Sequence, residues 1–220
     1  YLFVIFFHII QKILTYVIQF SVVMFAISIH EAAHGWMANR FGDPTAKLQG
    51  RITLNPIAHI DPVGTIIFPL LLILMGAPVF GWAKPVMVNP YNLRNPKRDH
   101  MYIAASGPLS NIITGIAAIV LFILLKRAGI VDLVNPGIIT LLLFYLIIIN
   151  IFLAIFNLIP IPPLDGSGII EGILKGEALE WYHKIRPYGF IILILIIYAG
   201  VLDIIARPIL SMVMNLLVQS

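Results

Sequence analysis

The chain has 220 residues, is 60% hydrophobic and only 11% charged, and carries a formal net charge of +4. A soluble domain is about 25% charged, so this composition excludes an ordinary soluble fold and predicts a single all-α polytopic membrane domain over residues 1–220. The positive charge comes without a basic helix face or a stacking platform, which excludes nucleic acid as a partner, and the lack of cysteine excludes disulfides, thiolate metal sites and cysteine nucleophiles.

Tyr1 to Lys12 reads as an apolar lead-in at the membrane interface, and Ile13 to about Asn39 as the first span. The run has no basic leader and no small-residue cleavage site, unlike a signal peptide. It ends in "SIHEAAHGWMANRFGD", Ser28 to Asp43, where His30, Glu31 and His34 match H-E-x-x-H. On a helix, residues four apart differ by about 40° in direction, so both imidazoles can ligate one zinc ion. Glu31, one position on, can reach a water at that metal as general base. The bland alternative is chance recurrence of a short pattern, but ionisable groups are expensive within a span and mark function by default. With the helix ending near Arg40, His34 lies ~9 Å and His30 ~15 Å from that end, within reach of a short polar funnel. Catalytic zinc also needs a third protein ligand and an open fourth position.

"GRITLNP", Gly50 to Pro56, and "AKPVMVNP", Ala83 to Pro90, each read as a short strand closed by Asn-Pro or as plain loop. His59 and Asp61 between them form either a polar pair beside the site or a surface turn. The piece from Asp61 to Trp82 holds Pro62, Gly64, Pro69, Gly76 and Pro78, and its unbroken apolar core, Leu70 to Met75, is too short to cross. Further spans are predicted over Tyr102 to Leu125, Gly137 to Leu158 and Tyr188 to about Ala206. The tail "RPILSMVMNLLVQS" either continues beyond a kink at Pro208 or lies along the surface. The total is about four to six transmembrane helices, with a core over 13–168 and C-terminal helices over 188–220. Lys97, Arg98, Lys126 and Arg127 read as interface anchors, and His100 and His183 as solvated loop residues.

A third ligand must be a His, Asp or Glu at similar depth. In "FNLIPIPPLDGSG", Phe156 to Gly168, three prolines deny the chain helical hydrogen bonds, so Asp165 rides on an extended segment that can turn towards the metal. Taken alone, Asp165 is equally well an N-cap or turn aspartate at the membrane surface.

Together these motifs resemble the site-2 protease family, the intramembrane zinc metalloproteases. In that family an HExxH helix pairs with a later N-x-x-P-x-x-P-x-x-D-G-like segment, matched here by Asn157, Pro160, Pro163, Asp165 and Gly166 with approximate proline spacing. Between them lies a helix opening with a G-P-x-x-N-like stretch, matched by "SGPLSN", Ser106 to Asn111. The loop stretches "GDPTAKLQGRITLNP" and "FGWAKPVMVNP" are similar to a compact bacterial or archaeal branch without a PDZ domain.

The resemblance implies one zinc ion per chain held by His30, His34 and Asp165, with Glu31 activating water. It implies that Asn157 helps to hold the substrate carbonyl or the oxyanion. The implied substrates are transmembrane proteins, cut within or near a membrane span in the lipid bilayer of the cell membrane. The excess of Lys and Arg over Asn39 to His100 and Asp165 to Pro187, against only Lys126 and Arg127 between the second and third spans, puts the site towards the cytoplasmic side. The two candidate strands could then clamp an unwound substrate by strand addition. Family members often carry Asp-Gly-Gly where this chain has Asp165, Gly166 and Ser167, a departure confined to the local turn.

Zinc shared by His34 and Asp165 requires an even number of crossings between them. The spans from Tyr102 and from Gly137 supply two, so the Asp61 to Trp82 piece should be re-entrant or packed at the interface. Two rivals come from other classes. An ion or proton transporter or channel could use the same His/Glu/Asp cluster, but needs polar groups along several helices, which here carry little beyond Ser106, Ser110, Asn111, Thr114, Thr140 and Asn150. A catalytically inactive relative could bind transmembrane partners, but would have no need of Glu31.

Overall fold

A computed structural model describes residues 2–75 and 81–219. In chain order its helices are α1 (Leu2–Arg40), α2 (Thr45–Leu48), α3 (Phe68–Leu74), α4 (Pro96–Arg127), α5 (Ile138–Asn157), α6 (Asp165–Ile173), α7 (Gly176–Ile185), α8 (Gly189–Tyr198) and α9 (Val201–Gln219). Among the described residues four stretches are long and apolar enough to cross a membrane: His8–Arg40 of α1, and the whole of α4, α5 and α9. The protein is an all-α integral membrane protein.

Three of these spans fall where the sequence places them, with two corrections. The lead-in before Lys12 is not a separate interfacial piece, because α1 runs through it without a break. The fourth span is not Tyr188 to Ala206. Gly200 adopts a left-handed φ of 71° and divides that run into the ten-residue α8 and the nineteen-residue α9. Only glycine adopts that conformation at little cost. Pro208 lies inside α9, which continues past it.

The bundle is apolar outside and small or polar inside, as expected where lipid is the solvent. Ile113, Ile116, Val120 and Leu124 of α4 are exposed, as are Ile138, Ile139 and Leu142 of α5. Ala26, Ser28, Asn111, Ala118, Asn150 and Ala154 are buried between the helices. Phe122, Leu143, Ile147, Val213 and Leu217 close the bundle at the far end from the HExxH motif, joining α4, α5 and α9. There Lys126 Nζ donates to the carbonyls of Leu217 (2.7 Å) and Val218 (2.8 Å), so the C-terminal ends of α4 and α9 share one face. At the opposite face Lys97 Nζ donates to Leu174 O.

That second face is built by caps. Asn95 accepts from Arg98 N, Asp99 Oδ2 accepts from Asn95 N at 2.8 Å, and Pro96 occupies the first helical position of α4. This reciprocal arrangement satisfies donors that a helix start leaves free. Asp61 caps a short wide turn over Pro62–Ile67 by accepting from Val63 N and Gly64 N, and α3 follows. The chain then returns: Trp82 N donates to Gly64 O at 3.1 Å, and a Cβ on Gly64 would lie 2.3 Å from the Trp82 ring. Trp82 thus lies against Gly64, at the start of the helical stretch that Asp61 caps. From there on, Ile66, Ile67, Leu70, Leu71, Leu74 and Met75 are exposed.

Among the described residues no strand forms. The two strand candidates are joined to their surroundings by isolated bonds: Lys84 N donates to His59 O at 2.9 Å, and Arg51 Nη1 donates to Lys84 O at 3.4 Å. Each has extended-chain composition but lacks a partner in register. His59 is fully buried, with Nε2 3.0 Å from Thr53 O, and so is neither a surface turn residue nor a partner of the capping Asp61.

Candidate metal centre

α1 carries His30 and His34 one turn apart, both buried, with ring centroids 4.7 Å apart and the rings nearly perpendicular. α4 crosses them at Gly107. A Cβ there would stand 2.4 Å from His34 Nε2 and 2.6 Å from His30 Nε2, so the absence of a side chain is what leaves room for the two rings. Asp165 arrives as the first residue of α6. Gly166 permits this, because a Cβ at that position would lie 2.4 Å from the carbonyl oxygens of both Leu158 and Ile159 at the end of α5. The departure from Asp-Gly-Gly falls on Ser167, which is half-buried and whose amide bonds Leu164 O.

His30 Nε2 stands 2.9 Å from Asp165 Oδ2, and His34 Nε2 3.3 Å from Asp165 Oδ1. The three side chains can each offer one ligand atom, all within 4.8 Å of one another. The other ring nitrogens are engaged: His34 Nδ1 donates to Ile103 O at 2.7 Å, and His30 Nδ1 lies 2.6 Å from Asn111 Oδ1. A proton on Nδ1 leaves Nε2 as a lone pair. Asp165 Oδ2 is buried and accepts no hydrogen bond. Two lone pairs facing an ionised carboxylate repel unless a cation lies between them. Two neutral imidazoles and one carboxylate are a donor set of catalytic zinc, so these residues fit the metal.

Between the two histidines in sequence, Glu31 is held by Val86 N, which donates to its Oε2 at 2.8 Å. The extended segment carrying Val86 is fixed to the end of α1 by Asp43. This carboxylate accepts from Thr45 N, Thr45 Oγ1, Asn89 N and Asn92 Nδ2 at 2.5–3.1 Å. Burial acts to raise the Asp43 pKa, and these donors, Asn92 and Thr45 foremost, bring it below its ordinary value. A groove of about 410 Å³ runs along Ile29, Ala32, Ala33 and Trp36 of α1, bounded by residues 52–54 and Ser110.

The structure thus brings His30, His34 and Asp165 together and sets Glu31 beside them. Asn157 is the last residue of α5, and its Nδ2 donates to Leu153 O at 3.0 Å within its own helix. Sequence reasoning did not assign roles to Gly107, Asn111 or Asp43. "SGPLSN" holds the first two, but a motif names no partners, and the clearance at Gly107 exists only once α4 crosses α1.

The sequence model for peptidase family M50 matches residues 124–197. The chain is similar to a Bacillus subtilis (strain 168) protein named "Putative zinc metalloprotease YwhC", 37% identical over 78% of this chain and 75% of that one. It is also similar to "Putative zinc metalloprotease Rip2" of Mycolicibacterium smegmatis, 26% identical over 82% of this chain and 66% of the relative. Rip2 of Mycobacterium tuberculosis (strain H37Rv) is 24% identical over 81% and 65%. No solved structure matches the chain.

Proposed function

Since the chain belongs to peptidase family M50, the site-2 protease family of zinc metalloproteases, we propose that it hydrolyses peptide bonds within or near transmembrane segments of other membrane proteins. The observation that supports this is depth. His30 and His34 lie inside the span His8–Arg40, buried against the middle of α4 rather than in an extramembrane lobe. A peptide bond reaching them must approach through the plane of the bilayer or from the nearby interface.

His30, His34 and Asp165 hold the zinc in this reading. The metal supplies Lewis-acid polarisation of the scissile carbonyl and acidification of a water. Glu31 takes the proton of the attacking water and passes it to the leaving amine. Its Oε2 is held by Val86 N, which aims the carboxylate without lending it a proton. Asn157 turns from Leu153 O to donate to the reacting carbonyl. A helical substrate hides its carbonyls in hydrogen bonds, so it must unwind locally. The apolar groove beside Ala32 and Ala33 suits an unwound apolar segment.

Orientation follows from charge. Arg40, Lys47, Arg51, Lys84, Arg94, Lys97, Arg98, Lys175, Lys184 and Arg186 gather at the metal-site end of the spans, against Lys12, Lys126 and Arg127 at the other. By the positive-inside rule this bias supports a cytoplasmic position for the first face.

The test is cleavage of a model transmembrane substrate in proteoliposomes by the wild type and by Glu31→Gln. The amide matches the carboxylate in shape but cannot take the proton. Cleavage should disappear while about one zinc ion per chain is retained. A variant that cuts at near wild-type rate would remove Glu31 from the mechanism. A wild type that cuts only soluble peptides would refute the substrate class.

A further inference from the structure

His30 can offer Nε2 to a metal only in the tautomer that carries its proton on Nδ1, and nothing on α1 makes that choice. For His34 the choice is made by a backbone carbonyl, Ile103 O, which can only accept. For His30 the partner is the side chain of Asn111, and a carboxamide can present either an acceptor oxygen or a donor nitrogen. Three further contacts settle which end it presents. Asn111 Nδ2 donates to Ala26 O at 3.1 Å and to Asn150 Oδ1 at 2.8 Å, and Asn150 Nδ2 donates to Leu146 O at 2.8 Å. The carbonyls of Ala26 and Leu146 accept only, so each fixes an NH₂ end. The oxygen of Asn150 must then face Asn111, and the oxygen of Asn111 must face His30. Both asparagines are fully buried, so a reversed carboxamide would set oxygen against oxygen with no water to relieve it.

We infer that the buried carboxamide pair Asn111–Asn150 sets the tautomer of His30, so that α5 helps to hold one zinc ligand in its binding form without reaching the metal. Both are positioning residues: Asn111 acts on His30, and Asn150 acts through Asn111. The inference rests on His30, His34 and Asp165 being the zinc ligands. Wild-type zinc content tests that premise separately: a wild type without zinc sinks the premise, whereas zinc-bound wild type with unaffected variants sinks only the inference.

The experiment is zinc competition against a chelator on purified, detergent-solubilised protein, with folding checked by thermal melting. Asn111→Leu should weaken zinc binding by about 10–100-fold, the usual loss for a group that orients a ligating histidine. Asn111→Asp should lose less than Asn111→Leu, because a buried neutral acid still accepts from Nδ1 through its carbonyl oxygen and donates its hydroxyl to one of the two oxygens that Nδ2 bonds. Asn150→Leu should weaken binding by less, about 3–10-fold, and should add nothing in an Asn111→Leu background, since coupled residues are not additive. Thr140→Val removes another buried polar group of α5, away from the pair, and should leave zinc affinity unchanged. If Asn111→Leu does not fold, Asn150→Leu against Asn150→Asp decides: a buried neutral acid can make both of Asn150's bonds and should keep the affinity that leucine loses. Wild-type affinity in folded Asn111→Leu, or an Asn150→Leu loss equally large with and without Asn111, would overturn the inference.

Discussion

A methyl group added at Gly107 would stand within 2.6 Å of both ligating nitrogens, inside the space that His30, His34 and Asp165 share. Gly107→Ala should therefore lose zinc on metal analysis, even though alanine is the better helix former by about 1 kcal/mol. Full zinc content in this variant would mean that the rings can move aside, and the cradle would have no role. Asn157 poses a different question, because its Nδ2 bonds Leu153 O. If it turns to the reacting carbonyl during catalysis, Asn157→Ala should lower kcat by ~10²–10³ and leave zinc binding intact, as losing one such donor typically does. Normal turnover would assign the residue to the end of α5 alone.

At the level of elements, the far end of the segment over 84–92 is tied to α1 and α2 by one carboxylate. Asp43 gathers donors from Thr45, Asn89 and Asn92, and three residues before Asn89 the amide of Val86 meets Glu31. Asp43→Ala should speed amide hydrogen exchange across 84–92 and slow proteolysis, while zinc content holds. Unchanged exchange would show that the segment is held by other contacts. The folded pKa of Asp43 lies below its ordinary value. The tie is therefore at full strength above about pH 3.9 and weakens as pH falls below it, because protonation costs acceptor capacity. How much of this could be read in advance depends on range. The HExxH pair was legible because four residues of helix suffice to align two rings, and Asp165 was reachable through the proline-broken run before it. The break at Gly200 was not, because an apolar average over Tyr188 to Ala206 does not register one left-handed residue. Between strand and plain loop the two candidate stretches take the loop, because alternating composition specifies an extended chain but not a partner. Asn111 and Asn150 meet only because particular faces of α4 and α5 are apposed.

For the molecule as a whole, the proposed zinc site would tie the ends of separate spans to one side of the membrane. His34 lies near the end of α1 and Asp165 just beyond α5, so the site requires an even number of full crossings between them, which α4 and α5 supply. The excursion after Asp61 meets this condition. Pro62 to Leu74 is helical over a length of roughly 20 Å, short of the ~30 Å hydrocarbon core, and Trp82 closes back on Gly64. Its exposed leucines fit a segment that dips into lipid and returns. The cysteine-free chain allows a direct test with single cysteines at Gln49, Tyr91 and Val134, all exposed and outside the spans. An impermeant thiol reagent applied to intact cells should label Val134, in the loop between α4 and α5, and spare Gln49 and Tyr91 until the membrane is opened. Gln49 and Tyr91 flank the excursion, so opposite labelling of these two would mean that it crosses, and a single zinc shared by His34 and Asp165 would then be geometrically impossible. Labelling of Gln49 and Tyr91 with protection of Val134 would keep the single site and invert the proposed orientation, against the charge bias.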